Sequence, residues 1–303
     1  MVPIIEHKIS SGSFGIVFKI KNVTGKKMKS FAMKIVPHKR GYIQNILELV
    51  LHFTPCEYLI NAISYEIDKA CYKITMPLAN MDIYKLINSN IILNNSDLKR
   101  LMFDIVLSVK YLHDIKIVHG DIKPSNILIF KSKSIYTAKL ADFSFSGLCL
   151  NSRIYNDKAY TINYKAPEIE LLGSYNFKAD IWALGQTFKR INFRDCSTDF
   201  KFLIDNMLKS NEEQRWDINQ TLTCNFFNDI SKPKFKNNPS YALSNKDTFL
   251  LHINTYFNNN DIITSIVEKM GRDKIIEDEN FIEREIILTS KIIEYFKHHI
   301  LNN

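Results

Sequence analysis

The sequence predicts an α+β protein, strand-rich at its start and helical later, and three observations lead there. Ile4-Ile5 and Ile16-Val17-Phe18-Lys19-Ile20 flank a glycine-containing turn and read as the strands of a hairpin, with Phe31-Ala32-Met33-Lys34-Ile35-Val36 following as a third, apolar strand. Toward the other end, Phe249-Leu250-Leu251, Ile262-Ile263, Ile266-Val267, Met270, Phe281-Ile282, Ile286-Ile287-Leu288 and Ile292-Ile293 recur in a pattern that predicts two or three amphipathic helices. A chain of 303 residues with 46% hydrophobic content can bury a sizeable core and still carry an appendage.

Taken in order, the first element to carry chemistry is the hairpin turn, Ile9-Ser10-Ser11-Gly12-Ser13-Phe14-Gly15-Ile16-Val17. Small residues there let backbone N–H groups come close to a phosphate, although the pattern alone also fits an ordinary tight turn. A dinucleotide fingerprint is excluded by context, because its glycines must open a helix and here a strand follows. Lys34 sits inside an apolar strand, where a cation needs an anionic partner or must lie on an edge facing solvent. Glu48, in Gln44-Asn45-Ile46-Leu47-Glu48-Leu49-Val50-Leu51, is the expected partner, with His52 four residues beyond it.

Tyr72-Lys73-Ile74-Thr75-Met76-Pro77-Leu78-Ala79-Asn80-Met81-Asp82 reads as a strand ended by proline. His119-Gly120-Asp121-Ile122-Lys123-Pro124-Ser125-Asn126 then places an acid, an amine and an amide at the spacing phosphoryl transfer needs. Beyond it come a strand at Ile127-Leu128-Ile129-Phe130, a polar turn through Lys131 to Tyr136, and Lys139-Leu140-Ala141-Asp142-Phe143-Ser144. Ala166-Pro167-Glu168, Asp180-Ile181-Trp182-Ala183-Leu184-Gly185 and Arg215 complete the series.

These segments, in this order from about Ile5 to about Phe227, resemble the signature motifs of the eukaryotic protein kinases. The resemblance implies a two-lobed fold, with a small β-rich lobe over residues 1–79, a mainly helical lobe over 80–230, and an Asn/Lys-rich linker and helical extension over 231–303. It implies ATP and Mg2+ as cofactors and a protein Ser or Thr hydroxyl as acceptor. The glycine loop Ile9 to Val17, with Ala32, Met76, Pro77, Ala79 and Asp82, would surround the nucleotide, the Pro77 carbonyl and the Ala79 N–H meeting adenine and Asp82 facing the ribose. Lys34 held by Glu48 would grip the α- and β-phosphates, and Asn126 with Asp142 would hold the metal. Asp121 would accept or orient the acceptor's proton and Lys123 would steady the transferring phosphate. Lys123 and Thr161, five positions before Ala166, match the serine/threonine class; Glu168 and Arg215 would form a structural ion pair.

Three positions depart from the family pattern: Ser10 and Ser144 replace glycines, and Gly120 replaces the arginine before the catalytic acid. They keep open a second reading, a pseudokinase scaffold. Gly120 implies independence from activation-loop phosphorylation, because that arginine is what clamps the phosphate. Candidate acceptors in the loop are Ser144, Ser146, Ser152, Tyr155 and Tyr160, with Arg153 or Lys158 as a substitute clamp. The stretch between Gly185 and Asp199 is short, so a helix kinases often use for docking is expected to be missing. The apolar faces of the extension are expected to pack on the large lobe or to bind a regulatory partner.

Forty basic against 32 acidic residues give a net charge of +8. Lys19, Lys21, Lys26, Lys27 and Lys29 read as a solvated hairpin tip and not as a nucleic-acid surface, because no aromatics interleave with them. Cys56, Cys71, Cys149, Cys196 and Cys224 show neither disulfide nor zinc spacing. With no apolar run of the ~20 residues a membrane helix needs and a start that runs straight into the glycine loop, the expected location is cytoplasm or nucleus, in a host cell if the gene is viral.

Overall fold

The computed structural model describes residues 3–12, 15–24, 27–37, 47–48, 51–52, 54, 56–67, 71–149, 153–155, 161–191 and 197–230. The helical extension, Ser13, Phe14, Lys26, Ser152, Lys158 and Tyr160 lie outside them, as does Cys196.

Strands β1 (Ile4–Gly12), β2 (Gly15–Thr24), β3 (Lys27–Pro37), β4 (Ser64–Ile67) and β5 (Cys71–Pro77) form a five-stranded antiparallel sheet in the order β1-β2-β3-β5-β4. The predicted hairpin is therefore present and is longer than its apolar cores. Register follows the alternation of apolar residues along β5, where Tyr72, Ile74 and Met76 are buried and their neighbours are partly open.

The second layer begins at β6 (Met81–Asp82), which runs into the short helix α1 (Ile83–Ile87). Helix α2 (Asn95–Asp114) follows, its start fixed by the Asn94 side chain, which accepts from the Asp97 N–H at 2.7 Å. Leu98, Leu101, Met102, Ile105, Val106, Val109 and Leu112 recur at helical spacing and are all buried, so α2 is the spine of the helical layer. Against it lie β7 (Ile117–Val118) and the hairpin of β8 (Ile127–Ser132) and β9 (Ile135–Leu140), with β6 completing the order β6-β8-β9. The expected polar turn through Lys131 to Tyr136 is shorter than the sequence indicated. Only Lys133 and Ser134 lie between the strands, and Lys133 takes the left-handed conformation (φ 55°) that a tight hairpin demands.

The remaining elements are β10 (Gly147–Leu148), β11 (Ile154–Tyr155), α3 (Pro167–Leu172), β12 (Ser174–Tyr175), α4 (Phe177–Arg190), α5 (Thr198–Met207) and α6 (Ile218–Leu222). α4 carries the fully buried Asp180, Ile181 and Leu184, and α5 starts at the residue before Asp199. No helix is long and apolar enough to cross a membrane among the described residues. The four described cysteines, Cys56, Cys71, Cys149 and Cys224, are free thiols.

The two layers are stitched by backbone. Leu59 bridges Leu140, with the Ile60 N–H donating to the Leu140 carbonyl and the Leu140 N–H to the Tyr58 carbonyl, both at 2.9 Å. This strap holds the end of β9, and hence Asp142 two residues on, against the segment 58–60.

Candidate active site

Sheet register puts several of the expected nucleotide-facing residues on one surface. Ser10 lies opposite Val17, Val17 opposite Lys34, and Ala32 opposite Met76, while Ala32 and Lys34 are two apart on β3. Directly opposed residues share a face, and so do residues two apart along a strand, so these side chains point the same way. Ala32 and Met76 are buried, whereas Ile9 and Ile16 at the glycine turn are exposed. Ser11 faces Ile16 and Gly12 faces Gly15 at the tip, whose intervening Ser13 and Phe14 lie outside the described residues. Gly15 is required: its φ is +149°, and a Cβ there would stand 2.5 Å from the Ile35 carbonyl oxygen. Pro77 ends β5 opposite Phe31, Ala79 lies in the crossing to the second layer, and Asp82 caps α1 by accepting from the Lys85 N–H at 2.7 Å. That capping duty was not foreseen; a short polar residue before Ile83-Tyr84 was its signal.

Beneath this face the expected lysine–glutamate pair is made. Lys34 Nζ donates to Glu48 Oε1, to Asp142 Oδ1 at 2.7 Å and to Ser144 Oγ at 3.0 Å. Glu48 is fully buried and takes a further bond on Oε2 from the Tyr72 hydroxyl at 2.9 Å, a positioning contact the sequence did not reveal. Burial works against the ammonium, but the carboxylates of Glu48 and Asp142 outweigh it and hold the Lys34 pKa above its ordinary value. The same cation, with hydrogen bonds from Lys34 and Ser144, overcomes burial at Asp142 and holds that carboxyl well below the usual range.

Asp142 has φ +65°, a conformation rare outside glycine, asparagine and aspartate, and Phe143 behind it is fully buried. The Phe143 ring meets His52 edge-on at 5.1 Å and His119 at 5.7 Å. His52 therefore fills an interior position. Its Nδ1 lies 3.1 Å from the Ile60 carbonyl and donates to it, while Nε2 is buried and, among the described residues, makes no hydrogen bond.

The catalytic-type loop leaves β7 and is hung from α4. Asp180 accepts from the His119 N–H at 2.8 Å, the Gly120 N–H at 3.1 Å and His113 Nε2 at 3.0 Å. His119 Nε2 donates to the Ala141 carbonyl at 3.1 Å, and its Nδ1 accepts from the Asp121 N–H at 3.2 Å, which fixes both the tautomer and the start of the turn. Burial drives the His119 pKa down, in keeping with that neutral ring. Asp121 is thereby aimed at its neighbours: Lys123 Nζ lies 2.7 Å from Oδ2, and Thr161 Oγ1 donates to Oδ1 at 2.9 Å while accepting from Lys123 at 2.9 Å.

The donor set suits a hard divalent cation. Asn126 spends its Nδ2 on the Asp121 carbonyl (2.8 Å) and Oδ2 (3.0 Å), and among the described residues its Oδ1 accepts no hydrogen bond. Asp142 takes both of its bonds on Oδ1, which leaves Oδ2 open in the same sense. Two such oxygens fit magnesium, which fills the rest of its shell with phosphate and water. No group of three or more His, Cys, Asp or Glu side chains able to hold a metal occurs among the described residues, so an ion here depends on those outside ligands.

Gly120 has φ +79°, and a Cβ on it would meet the Phe145 carbonyl oxygen at 2.5 Å. The substitute phosphate clamp expected at Arg153 is already engaged. Its guanidinium is bidentate to Glu212 (2.5 and 3.2 Å) and donates to Ser174 Oγ at 2.9 Å, beside the pairing of β11 with β12. Of the candidate phosphoacceptors, Ser144 and Ser146 are buried. Arg215, also buried, forms the expected fork with Glu168 at 2.7 and 2.9 Å. Lys19 and Lys21 are not part of a free hairpin tip: both lie on β2 and pair with Glu6 of β1, at 3.0 and 2.5 Å.

Comparison with known proteins identifies the family. The family described as "Protein kinase domain" matches residues 4–194. The chain is 31% identical over 186 residues to the CTD kinase subunit alpha of Saccharomyces cerevisiae, covering 59% of this chain and 34% of that protein. It is 27% identical over 222 residues to cell division control protein 2 homolog 2 of Trypanosoma brucei brucei, covering 69% and 64%. To testis-specific serine/threonine-protein kinase 1 of Homo sapiens it is 26% identical over 278 residues, covering 78% and 73%. The chain thus spans about a third of the first of these relatives and just under two thirds of the second.

Proposed function

The chain belongs to the protein kinase domain family, and we propose that it is a serine/threonine kinase that moves the γ-phosphate of Mg-ATP to Ser or Thr hydroxyls of protein substrates. The observation that carries this reading is the Asp121–Lys123–Thr161 triangle, with contacts of 2.7, 2.9 and 2.9 Å, built beside the Lys34–Glu48–Asp142 cluster. An acceptor hydroxyl placed at Asp121 would give its proton to the carboxylate as the oxygen bonds to phosphorus and the bond from phosphorus to the ADP oxygen breaks. Lys123 offers its charge to the phosphoryl oxygens during transfer, and Thr161 keeps both side chains in register. Lys34, fixed by Glu48, positions the α- and β-phosphates. Bound magnesium would neutralise phosphate charge, with Asn126 Oδ1 and Asp142 Oδ2 as its protein ligands.

Ser10, Gly120 and Ser144 favour a second reading, a nucleotide-binding scaffold without turnover. Labelled ATP with generic basic and acidic protein substrates separates the two. Asp121→Asn is expected to abolish transfer while leaving ATP binding nearly intact, since the acid acts on the acceptor. A wild type that binds Mg-ATP without turnover selects the scaffold, and equal turnover in mutant and wild type removes Asp121 from the chemistry.

A further inference from the structure

Ser144 stands where the family resemblance implies glycine, and the backbone makes no use of a glycine there. Among the described residues, positive φ outside glycine occurs at Lys116, Lys133 and Asp142 only. What the residue contributes is its hydroxyl. Ser144 is 2% exposed, and Oγ lies 2.6 Å from Asp142 Oδ1, 3.0 Å from Lys34 Nζ and 3.3 Å from each Glu48 carboxylate oxygen. A hydroxyl has one proton, and the shortest contact identifies its acceptor as Asp142 Oδ1. The lone pairs then face Lys34.

Asp142 Oδ1 is thus held by two donors, Lys34 and Ser144, while Oδ2 is left for a ligand. The two donors differ in what nucleotide demands of them. Lys34 is a cation that phosphates attract, so engaging ATP draws it from the carboxylate. The Ser144 hydroxyl has no such competing duty and sits behind the carboxylate in the buried layer. Donors to a metal-bound carboxylate orient it, and losing one typically costs ~10–100-fold in metal affinity.

We infer that Ser144 is a positioning residue for the metal: its hydroxyl holds Asp142 Oδ1 so that Oδ2 stays aimed at the magnesium of Mg-ATP when Lys34 turns to the phosphates. This rests on the kinase reading above. It makes the Ser144 hydroxyl a gain in metal binding and not a blemish in the site.

The test uses the full chain and three variants, Ser144→Ala, Ser144→Thr and Ser144→Gly, with magnesium chloride titrated at fixed, saturating ATP and followed by thermal shift from each protein's own metal-free baseline. Reading the midpoint of each titration separates metal binding from any change in basal stability. Removing the hydroxyl in the alanine and glycine variants should raise the half-saturating magnesium concentration by roughly tenfold, with threonine within about twofold of wild type. In initial-rate assays the alanine variant's loss should fall on KM for Mg-ATP and largely spare kcat at saturating metal. An alanine variant whose titration overlays wild type overturns the inference, as does a threonine variant as weak as alanine, or a loss confined to the glycine variant. A wild type without any magnesium and ATP response overturns the nucleotide-binding reading together with it.

Discussion

Acidification should weaken this fold through His52, and the size of the effect follows from where the ring sits. His52 is 1% exposed, donates through Nδ1 to the Ile60 carbonyl, packs edge-on against Phe143 and, among the described residues, leaves Nε2 without a hydrogen-bond partner. Burial first, then the nearby Lys34 cation, depress its pKa from 6.5 to about 4, against the opposing pull of Glu48 and Asp142. In the unfolded chain the ring takes up its proton near pH 6.5; in the folded protein it stays neutral down to about 4. Between those values the unfolded state binds more protons, so stability falls as pH falls. At about 1.4 kcal/mol per pH unit, an interval from 6.5 to about 4 corresponds to between about 3 and 4 kcal/mol at most.

His52→Leu isolates this contribution. At pH 7 the leucine removes an unpartnered buried nitrogen but strands the Ile60 carbonyl, opposing effects of ~1–3 kcal/mol each, so the stabilities should lie close together. The variant's advantage should then grow steadily toward pH 4.5. His119, also depressed by burial, acts in the same direction, while Asp104, raised by burial to about 6, acts oppositely; both are common to the two proteins and cancel in the difference. Urea unfolding followed by tryptophan fluorescence at pH 7, 6, 5 and 4.5 gives the two curves. Parallel curves, with a constant gap across that range, would refute the assignment of a buried neutral His52.

Two further outcomes follow from the loop. Gly120→Ala should lower the thermal midpoint by several degrees, because a left-handed φ and a Cβ 2.5 Å from the Phe145 oxygen together cost on the order of 1–3 kcal/mol or more; a midpoint within a degree of wild type would show that the backbone there relaxes freely. Because Arg153 is spent on Glu212 and Ser174, phosphatase-treated and ATP-incubated protein should give initial rates within about twofold. A rise of roughly tenfold, about 1.4 kcal/mol of barrier, tracking phosphate at Tyr155 or a neighbouring hydroxyl in mass spectra, would contradict it.

What could be read from the sequence was the chemistry whose residues travel in short segments. Asp121, Lys123 and Asn126 lie within one turn, and Lys34 stands out because a lone cation in an apolar strand needs an anion. Glu48 was reachable as that anion, since the next helical segment offers a carboxylate. Contacts between distant segments were not legible. Nothing local to Tyr72 says that its hydroxyl meets Glu48, and nothing near Arg153 announces Glu212, 59 positions away. Ser144 looked like a departure because a motif shows which residue type is present, not which acceptor surrounds it. The Lys131–Tyr136 turn was overestimated because polar strand ends facing solvent look like loop.

The crowding at Gly120 also bears on how such a loop can change over generations. With φ at +79° and the Phe145 carbonyl occupying the space of a Cβ, any side chain introduced at position 120 arrives as damage until the neighbouring backbone has moved. An arginine there would have to be preceded by a shift in the segment through Phe145 that gains nothing while the glycine remains. A route from this sequence to a loop clamped through position 120 therefore runs uphill through weakened proteins: an arginine there requires two changes, the shift of the backbone first and the side chain second.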